Sequence, residues 1–297
     1  MKKVDFKVLH SFTTTPYKGN PAGLVMDAAG LSGEEMQLIA SELKCSETAF
    51  VLPSDDADFR LRFFSPQREV ELCGHATIAT FVALVDQGKI SLEGGSSTLT
   101  QETMVGVLEV EVEKDSGGQV RALMHQNRPE FRSTGIGRKE LAEALGLSED
   151  DIRDDLPCEI VSTGIPSFHI PIKGLKAMAE MKPDPQAVLK TCNSVGCGAL
   201  FPFSMETSSP ETIVHVRCFA QPYGVFEDPV TGTANGAMGC YLMKHGLLKE
   251  QEYQSEQGIE MGKGGRVLVR IIGKPDNIIN VLVGGTAVEV ISGSIRL

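Results

Sequence analysis

The sequence predicts an α+β fold of two pseudo-symmetric halves, each a rolled, mostly antiparallel β-sheet or barrel around one buried α-helix. Three observations carry that expectation. At 297 residues the chain is long enough for two hydrophobic cores rather than one. An order of residues occurs twice, as RFFSPQREVELCGHATIATFVAL from Arg62 and RCFAQPYGVFEDPVTGTANGAMGCYL from Arg217, which sets Phe64 against Phe219, Pro66 against Pro222, Gly74-His75-Ala76 against Gly232-Thr233-Ala234, and Leu84 against Leu242. Each copy then runs into a nearly all-apolar stretch, Ala76 to Val85 and Ala234 to Met243. A helix apolar on every side must be buried on every side, here by short strands wrapped around it.

The elements follow in order. Val4 to Phe12 reads as a strand, Lys18 to Pro21 as a turn and Ala22 to Met26 as the returning strand. Ser32 with Glu35 forms a capping box, and Met36, Ile39, Ala40 and Leu43 recur at helical spacing behind it. Ser46 to Leu52 is strand-like, with Glu47, Ala49 and Val51 on one face by alternation, and Phe59, Leu61 and Phe63 mark the next strand. Val105 to Val112 and Val120 to Met124 make a hairpin about Asp115-Ser116-Gly117-Gly118. Lys139 to Leu145 reads as a helix, Ile160 to Ile172 as a strand, and Met178 to Leu189 as a helix around Pro183 and Pro185. The second buried helix stops at Gly246, and Arg266 to Ile272, Ile278 to Val283 and Val288 to Leu297 close the chain as strands. The polar, proline-bearing stretch from His125 to Glu130 is the linker expected. It separates an N-terminal half, 1–127, from a C-terminal half, 128–283, with a strand at about 284–297 returning to the first half and the active site in the cleft between them.

A formal net charge of −11 without basic runs argues against nucleic acid, whose phosphates such a surface would repel. No segment reaches membrane-spanning length, and the first residues carry two lysines but no apolar signal core, so a cytoplasmic location is expected. Seven cysteines without scaffold spacing are expected as reduced, mostly buried thiols. Cys192 and Cys197 lack a second pair or histidine at zinc spacing, so no metal site is expected.

Both copies place a glycine just ahead of a buried helix. The first amides of a helix lack internal partners and carry partial positive charge, so two such starts suit a carboxylate. A tight turn would explain either glycine alone; two copies, each flanked by ionisable residues, favour a site at Gly74 and Gly232. His75 sits at the first start. A lone histidine is more often structural, but one there suits hydrogen bonding or proton transfer. Glu47 would ordinarily be solvated or paired; facing a site among Ala49, Phe50 and Val51 it becomes a general acid or base. Asp228 precedes Pro229 at a turn, which explains it adequately, yet Glu227 and Asp228 side by side also offer an acceptor and an acid. Cys73, at a helix start, is a candidate base or nucleophile. Its counterpart is Thr231, so the pair of thiols that a two-base racemase wants is incomplete.

GNPAGLV from Gly19, SETAFVL from Ser46, FFSPQREVELCGHATIA from Phe63, STGIPSFHIPI from Ser162 and FEDPVTGTANG from Phe226 together resemble the phenazine-biosynthesis PhzF-like family of isomerases, which share the diaminopimelate epimerase fold. The blocks keep the family order over nearly the whole chain. The resemblance implies two pseudo-symmetric halves and a site without cofactors. In the characterised phenazine enzyme the reaction is isomerisation of trans-2,3-dihydro-3-hydroxyanthranilate by proton relocation. The family's glutamate acid/base matches Glu47, its histidine His75 and its aspartate Asp228, while its serine position is Thr233 here. That change keeps the hydroxyl and adds a methyl, which bears on substrate fit. Asn20, Cys73, Gly74, Gly232 and Thr233 are the substrate-binding candidates.

The reading is therefore a cofactor-independent isomerase acting on a small-molecule carboxylate substrate, with no nucleic acid or membrane partner and with a homodimer as the expected assembly. One rival is a racemase or epimerase using Cys73 opposite Glu47. Another is a metabolite-binding protein without turnover. Deuterium wash-in from heavy water separates both enzymes from the third reading.

Overall fold

Strand pairing repeats the duplication seen in the residue order. The structure is a computed structural model and describes residues 2–297. It divides into two compact units, residues 2–125 with Gly284–Leu297, and Gln126–Val283. The first holds β1 (Lys3–Ser11), β2 (Asn20–Val25), α1 (Gly33–Leu43), β3 (Glu47–Leu52), β4 (Phe59–Phe64), β5 (Glu69–Val70), α2 (Gly74–Asp86), β6 (Ser96–Thr103), β7 (Gly106–Lys114) and β8 (Val120–His125). The second holds β9 (Glu130–Ser133), α3 (Arg138–Leu145), β10 (Glu159–Ser162), β11 (Pro166–Pro171), α4 (Leu175–Glu180), α5 (Pro185–Val195), β12 (Ala199–Ser204), β13 (Val214–Val216), α6 (Gly232–Lys244), β14 (Glu252–Gln257) and β15 (Gly265–Lys274). After β16 (Asn277–Gly285), β17 (Ala287–Arg296) returns to the first unit and pairs antiparallel with β1.

The pairs β1–β2, β3–β4 and β6–β7 are antiparallel, while β2–β3 and β4–β6 are parallel. In the second unit β10–β11, β12–β13 and β14–β15 are antiparallel, while β11–β12 and β13–β14 are parallel. The alternation is the same in both. A parallel pair needs a crossover, and the crossovers are where the helices lie. In the first unit they are α1 and α2; at the matching places in the second they are α4 with α5, and α6.

The two central helices are each 13 residues long and begin on the repeated glycines. In α2 every residue from Ala76 to Leu84 is buried, and the helix packs on β1, β2, β3, β8 and β17. Thr77 and Thr80 survive there because their hydroxyls donate to the carbonyls of Cys73 and Ala76, at 2.9 and 2.7 Å. In α6 the run from Ala234 to Met243 is buried against β10, β11 and β15. A Cβ on Gly239 would lie 2.7 Å from Ile271 Cδ1 and 3.0 Å from both Tyr253 and Val269. This glycine is what lets the sheet approach the helix so closely. On the outside of the first sheet, α1 buries Met36, Ile39 and Ala40 against Phe50 and Phe64, and its Ser32–Glu35 capping box is formed in both directions.

Two elements differ from the expectation. The apolar run from Ile160 to Ile172 is a hairpin, β10 and β11, broken at Gly164, whose φ of +150° is a conformation that glycine supplies. The helix expected over Met178 to Leu189 is two, because Pro183 and Pro185 lack amide donors. Asp184 then caps α5 by accepting from the Ala187 amide at 2.7 Å.

Candidate active site

The N-terminus of α2 gathers the ionisable residues of the first unit. Cys73 is its N-cap, in extended backbone and with no side-chain cap bond. Parallel pairing of β2 with β3 sets Glu47 beside Ala22, and places the Glu47 carboxylate over the helix start. Cys73 Sγ donates to Glu47 Oε2 at 3.6 Å and lies 3.4 Å from His75 Nδ1. His75 Nε2 is 3.5 Å from Glu47 Oε2 and 3.3 Å from Ser46 Oγ. Three groups that exchange protons thus share one small volume. Cys73 is buried, and the His75 and Glu47 side chains are 11% and 25% exposed, so the cluster is largely shielded but not sealed.

The surrounding backbone holds this cluster in place. Ser11 Oγ donates to the His75 carbonyl at 2.6 Å. Asn20, buried at the start of β2, pairs in register with Ser11. Gly19 ahead of it has φ +71°, and a Cβ there would strike the Ser11 carbonyl oxygen at 2.1 Å. Glycine is required at that turn. On the other face of β3, Phe50 faces α1, so the strand is covered on both sides.

The N-terminus of α6 in the second unit has the same frame with different chemistry. Thr231 is the N-cap, again extended and again without a side-chain cap bond. Its hydroxyl donates to Asp228 Oδ2 at 2.5 Å. Gln257, from β14, accepts from the Thr231 amide at 3.1 Å and from Asn235 Nδ2 at 3.0 Å, and donates to the Asp228 carbonyl at 2.9 Å and to Thr231 Oγ1 at 3.0 Å. One buried amide therefore fixes both ends of the Asp228-to-Thr231 turn. Gly232 and Thr233 follow in the first turn of α6, half-buried, and the Thr233 carbonyl accepts from Thr163 Oγ1 at 3.3 Å.

Glu227 does not serve beside Asp228 as an acceptor. It takes a two-point ion pair from Arg217, at 2.8 and 2.9 Å, and Arg217 also lies over the Phe219 ring, 5.0 Å from its centre. The first unit repeats the device: Arg62 pairs twice with Glu69, at 2.7 and 2.8 Å, and lies 5.1 Å from the centre of Phe64. These arginines and glutamates brace the segment leading into each helix. Gln101 and Gln257 were not anticipated from sequence. Each accepts from the fourth residue of its helix, Thr77 at 3.3 Å and Asn235 at 3.0 Å; burial alone distinguishes them from any other strand glutamine.

A family model described as phenazine biosynthesis-like protein, PhzC-PhzF, matches residues 9–293. The chain is 39% identical over 290 residues to a protein of Bacillus subtilis named uncharacterized isomerase YfhB, covering 97% of each. It is 31% identical to the trans-2,3-dihydro-3-hydroxyanthranilate isomerase of Pseudomonas chlororaphis, over 98% of this chain and 99% of that one. The crystal structure of a Bacillus anthracis phenazine biosynthesis protein of the PhzF family superposes with a TM-score of 0.93 at 35% identity, covering all of both chains. Among the described residues no helix is long and apolar enough to cross a membrane. An α+β chain with this duplicated topology, matched along nearly its whole length, belongs to the phenazine biosynthesis-like (PhzC-PhzF) protein family and is one of its isomerases.

Proposed function

We propose that this isomerase relocates a proton on a small carboxylate-bearing metabolite, without a cofactor, and that Glu47 is the acid/base. The observation that carries the reading is the meeting of Glu47, Cys73 and His75 at the start of α2. Glu47 takes a proton from one carbon and returns it to another, so bonding electrons shift within the substrate and nothing is oxidised or reduced. In the first unit His75 holds or relays a proton and the first amides of α2, at Gly74, bind a carboxylate as charge spreads; in the second unit Asp228 and the first amides of α6, at Gly232, suit the same two tasks. Asn20, Cys73 and Thr233 contribute to substrate fit.

The contact between Cys73 and Glu47 favours the isomerase reading over the racemase one. Each of two opposed bases must come within about 3 Å of the carbon-bound proton it handles, so the pair stands about 6 Å apart around a substrate carbon. These two are 3.6 Å apart and bonded to each other.

The test is incubation in heavy water with trans-2,3-dihydro-3-hydroxyanthranilate, the substrate in the name of the Pseudomonas relative, and with a panel of other small carboxylates. Deuterium incorporation with formation of a positional isomer supports the proposal. Inversion at one centre instead supports a racemase, and binding without exchange supports a protein that has lost turnover. A cytoplasmic homodimer is part of the proposal, to be checked by cell fractionation and light scattering.

A further inference from the structure

Cys192 and Cys197, the one pair of cysteines close in sequence, take no part in the chemistry described above. We infer that they are a peroxide-sensitive dithiol, converted reversibly to a disulfide that clamps the end of α5 to the start of β12.

The backbone brings them together. α5 ends at Gly196, which is left-handed at φ +62°, and the Gly196 amide donates to the Cys192 carbonyl. The Cys197 amide donates to the same carbonyl at 3.0 Å. In this kind of helix ending the residue after the glycine folds back over the last turn, and its side chain meets the one five places earlier. Both positions are usually apolar; here both are cysteine, and the two thiols bond to each other. A carbonyl oxygen stands about 2.4 Å from its own Cα and an amide nitrogen about 1.5 Å from its own, so the 3.0 Å bond keeps the two Cα atoms less than about 7 Å apart even along a straight path. The path bends at both ends, which brings the pair into the range of about 4.4–6.8 Å that a disulfide spans.

The two thiols are held differently. Cys192 is fully buried and Cys197 is 7% exposed, so Cys197 is the one a small oxidant reaches. The bond from Cys192 lowers the Cys197 pKa against the effect of burial, with the Ala199 amide and the Arg132 guanidinium acting in the same direction. Arg132 is anchored there by donating to the Gly196 carbonyl at 3.0 Å. The same thiol contact, with burial, raises the Cys192 pKa. Cys197 is therefore the nucleophile. Its thiolate attacks one oxygen of a peroxide: an S–O bond forms, the O–O bond breaks, and the departing oxygen takes a proton from solvent. Cys192 sulfur, giving up its own proton, then attacks the sulfenic sulfur; the S–S bond forms, the S–O bond breaks and water leaves. Two electrons pass from the thiols to the peroxide, and a small thiol returns them.

The clamp lies where the chain joins the sheet. The Gly198 amide donates to the Pro166 carbonyl at 2.7 Å, and Leu200 exchanges two bonds with Phe219, each 3.0 Å. A disulfide just ahead of these bonds stops the end of α5 from fraying away from β12.

The test treats the full chain, reduced and then freed of reductant, with hydrogen peroxide; the protein is alkylated in denaturant and digested with trypsin. Both cysteines fall on one peptide, Thr191 to Arg217. The expected product is that peptide lighter by two hydrogens, unalkylated, and restored by dithiothreitol, from a protein that still melts cooperatively. Oxidation of Met205 on the same peptide adds an oxygen and is told apart by mass. Cys192→Ser should stop at a Cys197 sulfenic acid, captured by dimedone, and Cys197→Ser should leave the Cys192 thiol unoxidised. Amide hydrogen exchange over residues 194–198 should slow in the oxidised chain. If either variant fails to fold, the wild-type peptide mass decides. A peptide that keeps its two hydrogens after peroxide, a disulfide mapped to another pair, or one that forms only in denaturant overturns the inference. Unchanged amide exchange beside a mapped Cys192–Cys197 bond overturns the clamp.

Discussion

Glu47→Gln separates the chemistry from the fold. Glutamine keeps the shape of the side chain and one acceptor oxygen but loses the titrating proton. The contacts at risk are the Cys73 thiol at 3.6 Å and the His75 ring nitrogen at 3.5 Å. Both lie at the outer edge of hydrogen-bond range and the side chain is 25% exposed, so the loss of stability should stay near or below about 1 kcal/mol. The loss of rate should be far larger. A general acid or base contributes about 10²- to 10⁴-fold, or about 3 to 5 kcal/mol of barrier at 1.36 kcal/mol per decade. Thermal unfolding checks the fold, calorimetry with a substrate-like carboxylate checks binding, and proton NMR in heavy water follows exchange at the substrate carbon. The expected variant melts near wild type, binds, and neither turns over nor exchanges. A variant that folds, binds and exchanges at the wild-type rate refutes the assignment, and Asp228 or His75 becomes the base to test.

Three further outcomes are expected. Cys73→Ser should retain measurable turnover, reduced by about fivefold for one hydrogen bond of about 1 kcal/mol; complete loss in a folded variant, measured by the same exchange assay, restores the racemase reading. Gly239→Ala should destabilise the second unit by about 1 to 3 kcal/mol in chemical denaturation, because its Cβ meets Ile271, Tyr253 and Val269 at 2.7 to 3.0 Å. Buried His215 bonds to both Glu256 and Glu260 at 2.9 Å. Burial opposes its charge, but the bonds to Glu260 and Glu256 outweigh that and raise its pKa above 6.5. In both glutamates burial works the other way and is outweighed, for Glu256 first by the Ser208 amide and then by His215, for Glu260 by His215, so their values fall below 4.5. The histidine's contribution is full below pH 6.5 and is lost as pH rises through its raised value, while the glutamates' is full above pH 4.5 and is lost as pH falls. The melting temperature should decline on the alkaline side, and His215→Gln should flatten that decline.

What could be read beforehand follows from which signals are local. The two buried helices announced themselves because a run that is apolar on every side has one physical home, and the glycines ahead of them marked where each begins. The capping box at Ser32 and Glu35 was equally local. β6, with the sequence STLTQET at its core, gave no such signal, because it has one apolar residue, Leu99, and its buried positions are the polar Gln101 and Thr103. β12 hid behind Pro202, which ordinarily demotes a strand; here the Pro202 carbonyl accepts from the Arg217 amide at 3.1 Å and the strand is buried throughout. Gln257 is the same lesson at the site. Its importance lies in four hydrogen bonds made across 22 to 29 residues, and nothing near it in sequence specifies them.

The duplication itself bears on mechanism. Both units keep the arginine, the aromatic ring beneath it, the glutamate that pairs with it and the glycine that starts the helix. Those residues brace the backbone. The positions that differ are the ones with protons to give: Cys73 and His75 in the first unit correspond to Thr231 and Thr233 in the second, and the carboxylate beside each helix start comes from β3 in one case and from the turn before α6 in the other. A thiol, an imidazole and a carboxylate in mutual contact pass protons readily. Asp228 is held by the bond from Thr231, and that turn is fixed by Gln257. A two-base racemase needs matched reactive groups, and a duplicated fold supplies them most simply by keeping the same residue twice. This chain keeps the scaffold twice and the set of thiol, imidazole and carboxylate once.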